Sequence, residues 1–306
     1  MGTPFLSFLP PTGLRNYDRN LPHDKQSSDI PAIFRDAMCV REEVFVEEQG
    51  WPLAMEHDDD DERSCHWVTY ASVNRTVSPE VRDPETGEVV RSRRSTTVSL
   101  PIGTLRIVPF PHPPHPQDGA RYVDDVLQPD VDDGGHDGAG EDGAGTNDGS
   151  TETGAAVRGR KQSLLGDQDK TRQTSARPFG RDRATDFHDG KEPYVKLGRL
   201  AVAREYRGHR VAERLWNAAK KWLQDNPTYF NPSITVLGME TMRAETVDDI
   251  PRWKGLVCVH AQQRTVKVYE GWGFQVDHAM GTWYEQGIPH VGMFLRLEIR
   301  EKSPQF

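Results

Sequence analysis

Cysteine is scarce in this chain. Cys39, Cys65 and Cys258 are the only three in 306 residues, and no CxxC pair occurs. Their odd number and wide spacing exclude a disulfide framework and a zinc ribbon. Long apolar runs are missing too, so no segment reads as a membrane span. The opening residues, MGTPFLSFLPPTG, lack the basic region and apolar stretch of a secretory signal. Leu6 stands where the myristoylation pattern asks for Ser or Thr. Hydrophobic residues make up 35% of the chain, so either the core is small or a polar segment dilutes it. The formal net charge of -9 argues against a general nucleic-acid binder. The expected setting is the reducing cytoplasm, with the nucleus also open, and no membrane partner.

The dilution has a location. From 111 to 191 periodicity is lost. PHPPHPQDGARYVDDV leads into the acidic, Gly-rich DVDDGGHDGAGEDGAGTNDGSTETGAA, and a basic polar stretch follows. Such composition buries too little apolar surface to offset chain entropy, so 111–191 reads as a mostly disordered insertion. A smaller polar insertion spans 74–95, with the turn sequence DPETGE and the cluster RSRR. The stretch 226–254 is ambiguous and stands as a candidate third insertion.

Between these segments the pattern is mixed α/β. Asp29 is placed to cap a helix with Pro31 in its first turn, followed at helical spacing by Ile33, Ala37, Val40 and Val44. CHWVTYASV, SLPIGTLRIVPF and PYVKLGRLAVA read as strands. VAERLWNAAKKWLQD is strongly amphipathic, with Val211, Leu215, Ala219 and Trp222 on one side. GLVCVHA is a short buried strand, QQRTVKVYEG a short helix, and GFQVDHA and HVGMFLRLEI close the order as strands.

The link between PYVKLGRLAVA and the long helix is the basic, glycine-bearing YRGHRVA. A helix N-terminus offers free N–H groups and partial positive charge, and a loop curled in front of it binds phosphate. Gly208 permits the turn, Arg207 and Arg210 add charge, and Ala212 is small. Taken alone, the stretch reads first as a basic turn with exposed arginines.

The neighbouring motifs change that weighting. REEVFVEEQGWPLAMEHDDDD, CHW, PIGTLRI, KLGRLAV, VHAQ, VYEGWGF and EQGIPHVGM occur in one order along the chain. Together with YRGHRVA they resemble the GNAT acetyltransferases, and in particular a group of small stand-alone members. In that family a strand precedes a loop of form R/Q-x-x-G-x-G/A. Arg207 matches its first position and Ala212 its last, while Arg210 replaces the central glycine.

The resemblance implies a single domain over 1–306 with a mixed, mostly antiparallel sheet flanked by helices and interrupted by insertions. It implies acetyl-CoA as cosubstrate, no metal, and direct transfer to a primary amine. Leu200, Ala201 and Val202 would serve the thioester, and Arg207, Gly208, His209, Arg210, Val211 and Ala212 its phosphates. Tyr269 takes the place of the acid that protonates the leaving thiolate. Glu56 and His260 are candidate bases. Asp58, His66, Glu285 and His290 are candidate acceptor-binding residues. The acidic run beside Glu56 favours a small cationic amine such as an amino sugar. Protein lysine or N-terminal acetylation and a non-catalytic acyl-CoA sensor stay open, as do a monomer, a homodimer and a protein partner docking on 155–190. His112 and His115 form an HxxH in a Pro-rich stretch that does not hold helical geometry, so neither is expected to be a metal ligand.

Overall fold

Two long strands carry the sheet in the computed structural model, which describes residues 5–123, 126–129, 180–232, 242, 245–246 and 249–299. They are β2 (Cys65–Ser78) and β5 (Arg94–Val108), antiparallel from Cys65 opposite Ile107 to Ser78 opposite Arg94. Their inner halves are apolar on alternate residues and buried on both faces, because each face is covered by a helix. Their outer halves turn polar and run on as an exposed hairpin. The polar stretch 74–95 is therefore a hairpin extension. Its tip is the small pair β3 (Val81–Arg82) and β4 (Val89–Arg91), turned by Asp83, whose carboxylate accepts from the Glu85 and Thr86 amides.

Around this pair the other strands assemble: β1 (Phe5–Leu9), β6 (Arg121–Val123), β7 (Val126–Leu127), β8 (Val195–Val202), β9 (Leu256–Gln262), β10 (Gln275–Val276), β11 (Thr282–Glu285) and β12 (Ile288–Arg296). The order across the sheet is β1-β2-β5-β8-β9-β12-β11-β6-β7, with β10 on β12. Only β8–β9 and β6–β11 are parallel, so the sheet is mixed and mostly antiparallel, as expected. Four of its strands, β1, β6, β7 and β11, were not legible in the hydrophobic pattern. β1 lies along β2, with Phe8 against Trp67 and Phe5 stacked on Tyr70.

Two helices cover opposite faces. α1 (Ala32–Arg41) continues as π-helix over Glu42–Glu47 and packs Ala37 against Val68 and Tyr70. Pro31, not Asp29, holds its N-cap position, and no side chain caps it. α2 is a single turn, Leu53–Glu56. α3 (Val211–Asp225) buries Val211, Leu215, Trp216, Ala219 and Leu223 against the face that carries Trp67, Leu105 and Leu197. Val68 and Trp67 are neighbours in β2, so the period of two sends them to the two layers. α3 sits so close to β5 that a Cβ at Gly103 would lie 2.7 Å from Val211 Cγ1. α4 (Val266–Glu270) is short.

The ends of the long polar segment are ordered. Residues 111–123 and 180–191 belong to the same compact unit as the sheet, and His115, Ala120 and His188 are buried there. The boundaries expected at 111 and 191 thus shrink inward, because apolar and imidazole side chains at both ends find partners on β8 and β12. A second unit, 129–176, lies outside the described residues except for Pro129. Of the stretch 226–254, Tyr229 and Phe230 pack on Trp222, and Met242, Ile250 and Trp253 are buried. Much of the remainder lies outside the described residues. No helix among the described residues is long and apolar enough to cross a membrane.

Candidate active site

β8 and β9 run side by side only from Val195 opposite Val257 to Leu197 opposite Val259. β8 then continues to Val202 along β5 alone. The parting has a visible cause. Arg199 is left-handed (φ 47°), and Arg199 and Leu200 together oppose Leu105. A bulge of this kind bends a strand and sharpens its twist. The parted strands open onto a cleft of about 490 Å³, which Gly198 to Val202 line.

Of the loop after β8, Arg207 reaches one end of this cleft, whereas Gly208, His209, Arg210, Val211 and Ala212 do not line it. Gly208 (φ 78°) and Arg210 (φ 56°) are both left-handed, and they turn the chain into α3 at Val211. No side chain caps α3, so its first amides and its positive dipole end face the loop. A Cβ on Gly208 would meet nothing within 4 Å, so glycine serves the backbone angle there. Arg207 lines the cleft. Its Nε donates to Val202 O (3.0 Å), and its guanidinium pairs with Glu48 (2.9 Å). His209 donates from Nδ1 to Arg207 O. Arg210 occupies the glycine position of the motif, and its side chain is 81% exposed.

The other end is a hairpin. Glu285 pairs with Ile288 across the two-residue turn Gln286–Gly287, whose φ values of 50° and 75° define a type I′ turn. In the adjoining ladder, Gly292 lies opposite His260 and His290 opposite Gln262. These registers bring Glu285 between two imidazoles. His260 Nδ1 lies 3.9 Å from Glu285 Oε1, and His290 Nε2 lies 3.8 Å from Glu285 Oε2. Trp283 Nε1 donates to Glu285 Oε1 (2.8 Å) and fixes the carboxylate. His290 donates from Nδ1 to Ile288 O (2.8 Å), which turns its Nε2 towards the carboxylate. Burial, helped by the Lys196 charge, pushes His260 well below the ordinary imidazole value, and it is neutral at pH 7.

Tyr269, on α4, is buried and lines the same cleft. It also packs edge-on against Trp272 and Phe274. Burial raises its phenol above the usual value, so it holds its proton at neutral pH.

Three expected site residues lie elsewhere. Glu56 is excluded from solvent and pairs with Arg41 (2.7 Å) and Arg199 (3.1 Å). Asp58 pairs with Arg106 (2.6 Å) and Arg199 (3.1 Å). Asp61 joins Arg41 and Arg106, each at 2.7 Å. Three acidic side chains thus face three arginines beneath the bulge, although burial lifts the Glu56 carboxyl above its ordinary range against the pull of Arg199 and Arg41. Burial works against ionised Asp61, but Arg41 and Arg106 more than offset it and hold the carboxyl well below its ordinary range. His66 sits under this network, donating from Nε2 to Asp61 O (3.0 Å). Of the acidic run, Asp60 lines the cleft, whereas Glu56 and Asp58 are turned to the arginines, and neither they nor His66 line it. Sequence reasoning passed over Arg41, Arg106 and Arg199. The signal was an arginine inside each of the apolar runs MCVREEV, GTLRIV and KLGRLAV, since a buried arginine needs a carboxylate partner.

Among solved structures, the chain is similar to a Lactobacillus plantarum protein assigned as an N-acetyltransferase. The two are 17% identical, with 97% of this chain and 100% of that one covered and a TM-score of 0.41. It is also similar to ElaA of Escherichia coli, at 13% identity, 95% and 99% coverage and a TM-score of 0.37. An acyl-CoA N-acyltransferase from Pseudomonas aeruginosa gives 13% identity, the same coverages and a TM-score of 0.38. No curated protein matches the sequence. The acetyltransferase (GNAT) family profile matches residues 176–231. That match covers 56 of the 306 residues and falls on β8, the glycine-bearing loop and α3, so this segment is similar to the acetyltransferase (GNAT) family.

Proposed function

We propose that this chain acetylates the primary amine of a small cationic acceptor, which Glu285 holds between His260 and His290. One observation carries the reading: the parted edge of β8, Arg207 from the loop before α3 and the Glu285–imidazole cluster all line one cleft. The residues present fit acetyl-CoA. The α3 N-terminus with Gly208, Arg207 and Arg210 suits phosphate, and the Leu200–Val202 edge suits an extended amide-bearing arm. When bound, that cosubstrate supplies an acetyl group as a thioester.

The chain's own groups supply the rest. The Glu285 carboxylate attracts an ammonium ion into the cleft. His290 Nε2 takes the proton that frees the amine for attack, and Glu285 compensates the charge His290 then carries. His260, kept neutral by burial, is the weaker proton acceptor and lines the wall. Backbone amides at Leu200 to Val202 donate to the carbonyl oxygen as it gains charge. Tyr269 holds a proton for the departing sulfur. The test is a thiol-release assay with acetyl-CoA against free amines, including amino sugars and polyamines, and against peptides. Turnover with free amines supports the proposal. Turnover confined to peptides transfers the acceptor site to a protein substrate. Acetyl-CoA binding without turnover on either set leaves a sensor.

A further inference from the structure

The two histidines of the HxxH part company in the fold. His112 bonds Tyr194 O from Nε2. His115 instead meets two residues from the far end of the polar segment. Its Nε2 lies 3.0 Å from His188 Nδ1 and 3.7 Å from Asp182 Oδ2. One donor atom from each of the three side chains falls within 4.8 Å of the others. His115 and His188 are 3% and 4% exposed, and neither belongs to the acetyl-transfer cleft.

We propose that His115, Asp182 and His188 form a binding site for a divalent metal ion of the zinc class, which clips together the two chain ends that enclose residues 129–176. Zinc holds nitrogen and oxygen donors at about 2.0–2.2 Å in a tetrahedron, which sets its donors roughly 3.3 Å apart. The observed spacings bracket that value. The donor set, two imidazoles and a carboxylate, is one that zinc takes readily.

The surroundings prepare the imidazoles for this. His188 donates from Nε2 to Glu192 O (2.9 Å), which fixes its tautomer and leaves the Nδ1 lone pair turned inward. His115 stacks on Tyr194, and His188 stacks on Phe294, so neither ring is free to swing. The His115 amide and the Arg183 amide hold the two oxygens of Asp182, at 2.7 Å each. A small cavity of about 60 Å³ touches Asp182 and His188, which gives a route in and room for water as a fourth ligand.

The placement says what the ion would do. His115 and Asp182 are 67 residues apart in sequence. A bond between them closes the base of the intervening segment, and such a clip removes loop entropy from the unfolded chain. It also anchors Tyr194, the residue before β8, and so steadies the strand that carries the cofactor edge.

The full chain, stripped with a chelator, is titrated with zinc sulfate alone in competition with a chromophoric chelator, and then with cobalt(II). One equivalent should bind with Kd at or below about 1 µM. Cobalt should give the intense visible bands of a tetrahedral site, and zinc should raise the melting temperature. His188→Ala and the shape-preserving Asp182→Asn should each weaken binding at least tenfold and flatten the zinc-dependent melting shift. The wild-type cobalt spectrum reads the site without any substitution. Weak zinc binding, or octahedral cobalt bands with unchanged melting, overturns the proposal. Equal affinity in wild type and Asp182→Asn also overturns it.

Discussion

Arg41 Nε and Glu56 Oε1 lie 2.7 Å apart with both side chains wholly excluded from solvent. The pair stands at the centre of the arginine–carboxylate network under the β8 bulge, and it fixes what Glu56 can do. A base must exchange protons with a substrate, whereas this carboxylate is committed to Arg41 and Arg199.

Glu56→Gln keeps the shape and removes the charge. Loss of one partner from a buried pair typically costs about 3–5 kcal/mol. In a unit of this size that corresponds to a drop in melting temperature of roughly 6–20 °C. The protein that stays folded should keep its kcat, because Glu56 lies outside the cleft. A normal melting temperature with collapsed kcat would return Glu56 to the mechanism.

Acid should destabilise the fold before the carboxylates titrate. Burial holds His66 at about 4, below the 6.5 of an unfolded imidazole. Between those values the unfolded state binds a proton that the folded state does not, so stability falls as pH drops from 6.5 towards 4. His112 and His260 are also pushed down by burial and add to the slope. His66→Gln, which retains a donor for Asp61 O, should reduce the dependence of chemical-denaturation stability on pH in that window. An unchanged slope would show that His66 titrates alike in both states.

Legibility followed local periodicity. The bounds of α3 were readable because Val211, Leu215 and Ala219 recur at helical spacing and Asn226–Pro227 end the run, although the residue buried in the last turn is Leu223 rather than the expected Trp222. The inner halves of β2 and β5 showed as apolar runs, but β6 and β11 are short, half polar and paired across more than 150 residues of chain, as Tyr284 with Arg121 shows. Glu285, His260 and His290 could be named from motifs. Their meeting depends on the register of β9 on β12 and on the I′ turn, which sequence spacing does not encode. The acidic run misled because its partners are arginines on three separate elements.

Arg210 takes a left-handed backbone at the position where the family motif has glycine. That conformation costs a non-glycine residue roughly 1–2 kcal/mol. Glycine's greater unfolded-state freedom returns about 0.5–1 kcal/mol of this. Arg210→Gly should therefore leave melting unchanged or raise it slightly. Acetyl-CoA affinity should fall by less than about tenfold, which is 1.4 kcal/mol, because the exposed guanidinium adds only screened charge. A melting temperature lowered by several degrees would show that the Arg210 side chain holds the loop.

Glu285→Gln separates acceptor from cofactor. The amide keeps the Trp283 hydrogen bond and removes the charge that faces His260 and His290. The acceptor KM should rise tenfold or more, with the acetyl-CoA KM close to wild type. kcat should fall as well, since His290 loses the group that compensates its proton. Equal rises in both KM values would mean that the substitution has disturbed the hairpin rather than the acceptor site.

Tyr269→Phe tests the acid. The ring packs edge-on against Trp272 and Phe274, so phenylalanine preserves the contacts and should fold normally. What it lacks is the hydroxyl, whose proton burial keeps in place at neutral pH. If that proton goes to the leaving sulfur, kcat should fall by roughly a hundredfold or more. Acetyl-CoA affinity should stay near wild type, because the α3 end and the β8 edge are untouched. The pH profile gives a second readout. Wild-type kcat should stay flat on the alkaline side up to about pH 9, since the raised phenol does not ionise there. A residual rate in Tyr269→Phe that depends on water should respond more steeply to the basicity of the leaving thiol, measured with acetyl thioesters of graded thiol pKa. Unchanged kcat and an unchanged leaving-group dependence would leave Tyr269 as a packing residue and remove it from the proton path.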